Sequence, residues 1–186
     1  MKWVVRIATG IIGLVVLVIA ALLLWGMRPG HDHIVAEVQI DRPAPQVFRY
    51  LTDDDLVKKW IGGLAEIKVI STPADGSQVG KKFRIGEAYK DQRVDMDMTV
   101  THYEKNRALS IFIESVGDPH NGFTETGDYT LAEQNGKTLL RFEVKTKYLG
   151  FLPRLFEPFI TPEATKKLNE DLLHMKQLVE AEPKTS

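Results

Sequence analysis

Hydrophobic residues near the C-terminus recur with the period of an α-helix. They are spaced by steps of four, four, three and four residues, which places them in one apolar stripe. The stripe consists of Ala164, Leu168, Leu172, Met175 and Val179. Charged residues between them, such as Lys167, form a solvated face. A threonine followed by Pro162 is typical of a helix start, and Pro183 ends the run. The pattern predicts a long amphipathic helix over 162–181, which needs a broad apolar surface to pack against.

The middle of the chain instead alternates apolar and polar residues, which is the period of a half-buried β-strand. The alternation is most regular over 94–100, and Asn135-Gly136 is a strong hairpin signal. Because neighbouring strands in such a series usually pair, we expect an antiparallel sheet. The predicted strands are 34–41, 64–71, 82–90, 93–103, 108–116, 123–133 and 138–148.

Two short helices are predicted between the first two strands. Prolines within 43–45 open the first helix, and three aspartates at 53–55 cap the second, which the glycines at 62–63 close. The aspartates could also suggest a calcium site. The alternating ligands and the distal glutamate of an EF-hand are missing, however, so helix capping is favoured.

An uncharged apolar run of 21 residues extends from Ile7 to Met27. At about 1.5 Å per residue it would span a hydrocarbon core of about 30 Å, and it exceeds the usual core of a cleaved signal peptide, which is the alternative. Lys2 and Arg6 outweigh Arg28, which predicts a cytoplasmic N-terminus and a single-pass protein of the inner membrane with its domain in the periplasm. The expected organisation is a short tail at 1–6, a transmembrane anchor at 7–27, a linker at 28–33, a folded domain at 34–183 and a tail at 184–186.

Composition removes several classes of function. The chain has 24 basic and 25 acidic residues, so its net charge of −1 gives no electrostatic reason to bind nucleic acid. It has no cysteine, which excludes thiolate catalysis and cysteine-ligated zinc. The adjacent residues His31, Asp32 and His33 cannot all face one ion from a strand or helix, and the other histidines lack metal-ligand spacing. No glycine-rich phosphate loop or nucleophile elbow occurs, so we predict neither a metal nor a cofactor.

The order of elements and five segments resemble a known superfamily. The segments are 38–48, 51–60, 79–80, 136–138 and 172–180. With one strand, two short helices, six strands and a long helix, the chain resembles the SRPBCC or START-related superfamily, the helix-grip fold of birch-pollen-allergen-like and polyketide cyclase/dehydrase-like proteins. The resemblance implies an α+β domain whose curved, seven-stranded antiparallel sheet wraps around the C-terminal helix. The expected fold class is this domain plus an N-terminal transmembrane helix.

The resemblance also implies a small hydrophobic ligand held between the sheet and the C-terminal helix. The residues expected to line its cavity are Met96, Met98, Ile111, Ile113, Phe123, Tyr129, Phe142, Val144, Phe156, Phe159, Leu168, Leu172 and Met175. Two of these belong to 150–160, where six of eleven side chains are large and apolar. Such a segment indicates a gate for a lipid-like ligand or a surface that touches a bilayer. A short helix that plugs the domain is the alternative.

Two acids interrupt apolar registers and are the candidate catalytic groups. Glu87 shares its strand face with Phe83 and Ile85, and Glu125 shares its face with Tyr129. In a cavity, desolvation would raise the pKa of both acids and could make one a general acid, whereas at a sheet rim they would be solvated. We expect a non-catalytic, membrane-tethered binding domain for a lipid, quinone or polyketide-like molecule. The alternatives are a cyclase or dehydratase that uses Glu87, Glu125 and Tyr129, and a protein-interaction module like the chaperone activators of the superfamily.

Overall fold

The seven strands of the protein form one antiparallel sheet, followed by a long helix. A computed structural model describes residues 2–27, 33–89, 92–117 and 122–183. The strand order in the sheet is β1-β7-β6-β5-β4-β3-β2. The elements are α1 (Lys2–Gly26), β1 (His33–Ile40), α2 (Ala44–Thr52), α3 (Asp54–Trp60), β2 (Leu64–Ser71), β3 (Lys82–Tyr89), β4 (Gln92–Glu104), β5 (Ala108–Ser115), β6 (Phe123–Gln134), β7 (Lys137–Tyr148) and α4 (Phe151–Ala181).

The predicted strands and short helices are confirmed, and their local signals act as expected. The Asp53 side chain accepts hydrogen bonds from the backbone N–H groups of Asp55 and Leu56 at 3.0 and 3.2 Å, so the aspartates cap α3. Asn135 and Gly136 have φ values of 55° and 69° at the turn between β6 and β7. Positive φ at both positions is what a tight hairpin turn requires.

The C-terminal helix is longer than predicted. It begins at Phe151 rather than at Pro162, and Pro158 and Pro162 both lie within it. A proline usually marks a first turn because it has no N–H to donate to the preceding turn. Here the Thr161 hydroxyl donates to the Glu157 carbonyl at 3.1 Å, and the helix continues through both prolines. The start predicted at 162 is therefore wrong, because packing in the fold outweighed the local signal.

The N-terminal helix α1 does not bear out the predicted membrane anchor. Within the described ranges, no helix combines the length and the apolar content that a membrane crossing requires. On this finding the transmembrane helix at 7–27, the inner-membrane location and the periplasmic domain are wrong. The helix contacts α4.

The predicted boundary segments are only partly visible. Of the linker predicted at 28–33, the structure describes His33 alone, and this residue already begins β1. The rest of that linker, including two residues of the His-Asp-His sequence, lies outside the described residues, as does the tail at 184–186. The first strand therefore begins one residue before its predicted start at Ile34.

The core lies between α4 and the face of the sheet that α4 covers. Alternate residues of β5 and β7 are buried, which matches one strand face turned inward. The most completely enclosed side chains come from β1, α2, β7 and the second half of α4. They are Ile40, Val47, Thr138, Leu140, Leu172, Met175 and Val179.

Glu182 fixes the C-terminal end of α4 to the first part of the domain. Its carboxylate accepts hydrogen bonds from the Tyr50 hydroxyl at 2.8 Å, from Arg49 at 2.7 Å and from Gln46 at 3.4 Å. Arg42 also donates to the Glu182 main-chain carbonyl at 3.1 and 2.7 Å. The Tyr50 hydrogen bond and the Arg49 charge lower the pKa of Glu182, and burial together with Glu182 raises the pKa of Tyr50 to about 12. This end of the helix is therefore firmly attached.

Candidate functional site

Glu87 and Glu125 both face the side of the sheet that α4 covers. Glu87 follows the buried residues Phe83 and Ile85 on one face of β3, and Glu125 precedes the buried Tyr129 on one face of β6. In this antiparallel sheet the end of β3 and the start of β6 lie at the same edge. Both acids therefore lie on the covered face of the sheet at one end of the domain, where Glu87 keeps 34% of its side chain exposed.

The helix α4 adds a lysine and an aspartate at this end. Lys167 Nζ lies 2.8 Å from Asp171 Oδ2 and 4.0 Å from Glu87 Oε1. The other oxygen of Asp171 accepts a hydrogen bond from the Gly62 backbone N–H at 2.9 Å. Asp171 is buried and Lys167 is half-buried, so the pair lies between α4 and the rest of the domain. We refer to Glu87, Glu125, Tyr129, Lys167 and Asp171 as the interior polar cluster.

Glu125 is the acid of the cluster whose charge is least favoured. Burial raises the pKa of Glu125 above its usual value, and the nearby carboxylate of Glu87 raises it further. The Thr146 hydroxyl, which donates to Glu125 Oε2 at 3.1 Å, and the charge of Lys167 act in the opposite direction without cancelling the rise. This carboxyl group therefore retains a proton more readily than an exposed glutamate does, and it can donate that proton to a hydrogen bond or in a reaction.

Tyr129 places a phenol beside these acids. Its ring stacks on Phe142 with the ring centroids 3.8 Å apart and an interplanar angle of 2°. Gly127 leaves room for this stack, because a Cβ there would lie 2.8 Å from the Phe142 ring. Burial and the charges of Glu125 and Asp171 raise the pKa of Tyr129, so its hydroxyl stays neutral and can donate. The side chain is only 7% exposed.

The Tyr129 hydroxyl has no hydrogen-bond partner within the described residues. In the same part of the chain, every side-chain nitrogen or oxygen that is completely enclosed has a partner. The hydroxyl therefore borders a space that a water molecule can enter. A buried tyrosine usually pairs its hydroxyl, so this unused donor marks a position where a guest molecule can bind.

The interior is packed unevenly around this position. The inward-facing residues Ile111 and Ile113 of β5 keep 8% and 9% exposure, whereas Leu172 and Met175 of α4 keep 1% and 0%. The interior is therefore less completely enclosed along the middle strands than around the second half of α4.

The residues predicted to line a cavity fall into three groups. Leu168, Met98 and Phe123 are partly buried against the core, while Phe156 and Phe159 are exposed at 54% and 61%. The remaining predicted lining residues are buried: Met96, Ile111, Ile113, Tyr129, Phe142, Val144, Leu172 and Met175. The structure thus brings the sheet residues together in the interior. Leu172 and Met175 are fully enclosed there, whereas the two phenylalanines lie on the surface of α4.

Sequence reasoning missed Lys167 and Asp171. Lys167 was assigned to a solvated face, and its side chain is in fact half-exposed. What the sequence did not indicate is that its ammonium group lies between two carboxylates. Asp171 precedes Leu172 and follows Leu168 by three positions, so it borders the apolar stripe. A lysine and an acid four residues apart at the edge of a stripe was the available signal, because such residues lie on one side of a helix.

The arrangement offers acid–base and hydrogen-bonding chemistry. Carboxyl groups from β3 and α4 contact Lys167, at 4.0 and 2.8 Å. The Glu125 carboxyl on β6 is near enough to interact with the charge of Lys167, and the neutral Tyr129 hydroxyl can donate a hydrogen bond to a guest. Burial and the Glu157 and Glu125 charges also raise the pKa of Tyr148 to about 12, so a second neutral phenol lies at this end of the sheet. No group of three metal-ligating side chains occurs in the part of the chain that the structure describes.

The sequence of the domain matches one protein family. A family model described as polyketide cyclase / dehydrase and lipid transport matches residues 31–180. The curated proteins contain no match to the chain.

Several solved structures share the fold. Protein MLL2253 from Mesorhizobium loti is 24% identical, with a TM-score of 0.62 over 81% of this chain and 98% of its own. A conserved protein from Geobacillus kaustophilus is 13% identical, with a TM-score of 0.66 over 80% of this chain and 95% of its own. The protein Ara h 8.0201 is 12% identical, with a TM-score of 0.63 over 81% and 98% of the two chains. At these identities the likeness shows the fold alone.

Proposed function

Because the chain belongs to the polyketide cyclase/dehydrase and lipid transport family, we propose that it binds a small, largely apolar molecule in a hollow between the sheet and α4. The unpartnered hydroxyl of Tyr129 carries this proposal. A donor buried without a partner costs free energy, and a bound guest would recover that cost. Ligand sites are commonly apolar with a few convergent polar groups, which is the composition of this interior.

The direct test is whether the full-length protein retains and binds apolar molecules. Native mass spectrometry of the protein purified from its own host should show added mass from a retained compound. In parallel, the neutral dye N-phenyl-1-naphthylamine should become fluorescent on binding to the emptied protein. Absence of both added mass and dye binding would contradict the proposal.

Two matched variants locate the site. Ile113→Trp fills the hollow from β5, and we expect it to weaken dye binding by at least about tenfold because the added volume replaces the guest. Glu114→Trp adds the same side chain at the next position, which is exposed on the other strand face, and should leave binding unchanged. Ile113→Phe is the milder substitute if the tryptophan variant does not fold. Equal binding by all variants would place the dye elsewhere.

An enzyme of cyclase or dehydratase type is the second candidate. It is favoured because Glu87, Glu125 and Asp171 all lie near Lys167. Acid–base catalysis needs titratable groups whose environments separate their pKa values. In this mechanism the protonated Glu125 would donate a proton to a leaving hydroxyl and an ionised carboxylate would accept one. Incubation with an apolar extract of the host should then convert one compound by loss of water, and Glu125→Gln should bind that compound without converting it. The protein-interaction alternative stays a prediction.

A further inference from the structure

The lysine of the interior polar cluster is half-exposed and already paired with carboxylates. Lys167 contacts Asp171 at 2.8 Å and Glu87 at 4.0 Å, so two carboxylates already neutralise its single charge before Glu125 is counted. A carboxylate guest would therefore find no free cation in the cluster and would add to its negative charge. A cationic guest would have to displace Lys167, which already lies between the two carboxylates.

The hydrogen-bonding group that remains available is a neutral donor. The Tyr129 hydroxyl has no partner in the described ranges. Tyr129 projects from β6 on the buried face of the sheet, near enough to Glu125 for the charge of that carboxylate to act on the phenol. A guest oxygen that accepts a hydrogen bond could therefore receive one from this hydroxyl.

We propose that the hollow selects apolar molecules whose polar group is a neutral oxygen, such as a ketone, a quinone-type carbonyl or an alcohol, and rejects fatty carboxylates. This inference rests on the ligand-binding function proposed above. Its physical basis is that a charge buried without a partner is far more costly than a neutral hydrogen-bonding group. A site whose buried donors need an acceptor also discriminates strongly against guests that lack one.

The test compares four guests that differ only in their polar group. Full-length protein loaded with N-phenyl-1-naphthylamine is titrated with 2-undecanone, 1-undecanol, undecanoate and undecylammonium, and dye release is measured. We expect the ketone and the alcohol to displace the dye at concentrations at least about tenfold lower than either ion does. Equal or tighter binding of undecanoate or of undecylammonium would overturn the inference. Absence of dye binding would instead overturn the proposed function on which it rests.

Two variants test the assigned roles. Tyr129→Phe keeps the ring stacked on Phe142 and removes only the hydroxyl, so 2-undecanone should bind about fivefold more weakly. Tyr103→Phe, on β4 in edge contact with Phe48, is the matched control and should leave the binding of 2-undecanone and of the dye unchanged. Glu87→Gln releases part of the charge of Lys167, so undecanoate should bind about threefold more tightly. If neither Tyr129→Phe nor Glu87→Gln changes the order of the guests, the cluster does not select them.

Discussion

Replacing Glu125 by glutamine should make the protein more stable at neutral and alkaline pH. Glutamine keeps the length of the side chain and its contact with the Thr146 hydroxyl, but it removes the charge that burial and Glu87 disfavour. Single substitutions with an identified structural cause commonly change stability by about 1 kcal/mol. We therefore expect the free energy of unfolding to increase by about that amount at pH 8.

The sign of the pH dependence follows from proton binding. The pKa of Glu125 is higher in the folded than in the unfolded protein, so between these two values the folded state holds more protons. Stability contributed by this residue is therefore lost as the pH rises through that window. Below the unfolded pKa, about 4.3, both states are protonated and the penalty disappears. The advantage of Glu125→Gln should accordingly be near zero at pH 4 and larger at pH 8.

Urea unfolding followed by far-UV circular dichroism at pH 4, 6 and 8 measures this difference. Glu114→Gln is the control, because Glu114 is exposed on the neighbouring strand and the same change there should alter stability by less than about 0.5 kcal/mol. A Glu125→Gln protein that is less stable at pH 8, or whose advantage does not depend on pH, would refute the assignment of Glu125 as a carboxyl group held at a cost.

Two further substitutions test the attachment of α4 at its C-terminal end and the packing beside Tyr129. Glu182→Gln should lower stability by about 1 kcal/mol at pH 7, because it weakens the acceptor for Tyr50 and Arg49. Since the pKa of Glu182 is lowered by folding, this stabilisation is present above the unfolded pKa and is lost as the pH falls, so a deficit in urea unfolding that persists unchanged in acid would contradict the role. Gly127→Ala should cost about 1–3 kcal/mol in the same assay and alter near-UV dichroism, because its Cβ would meet the Phe142 ring at 2.8 Å; an unchanged protein would show that the ring moves freely.

The fold was accessible from the sequence because most of its signals are local. The alternation over 94–100 needs only one buried face to define β4, and Asn135-Gly136 needs only its own backbone to form the turn. The start of α4 was not accessible in this way. Pro162 is a strong local signal for a first turn, but whether a helix continues through a proline depends on what the preceding turns pack against.

Half of the candidate site followed from strand periodicity, and the other half did not. Strand periodicity placed Glu87 and Glu125 on the same strand faces as buried neighbours and left open whether they meet a cavity or a solvated rim. Their approach to Lys167 and Asp171 depends on how α4 is rotated against the sheet, and a stripe of apolar residues fixes that rotation only roughly. Residues at the edge of the stripe can therefore be solvated or enclosed, and the sequence alone does not decide between these outcomes.

The interior polar cluster could in principle serve only to hold α4 against the sheet. A purely structural network would use all of its polar groups, because each buried group without a partner costs free energy. The contacts of Asp171 with Lys167 and Gly62 fit such a role, since both carboxylate oxygens are engaged. The Tyr129 hydroxyl does not fit it, because it lies inside the domain without a partner in the described residues. Glu182 and Asp171 already attach α4 at its C-terminal end and near its middle, so holding the helix does not require the Tyr129 hydroxyl, which can serve the guest that we propose.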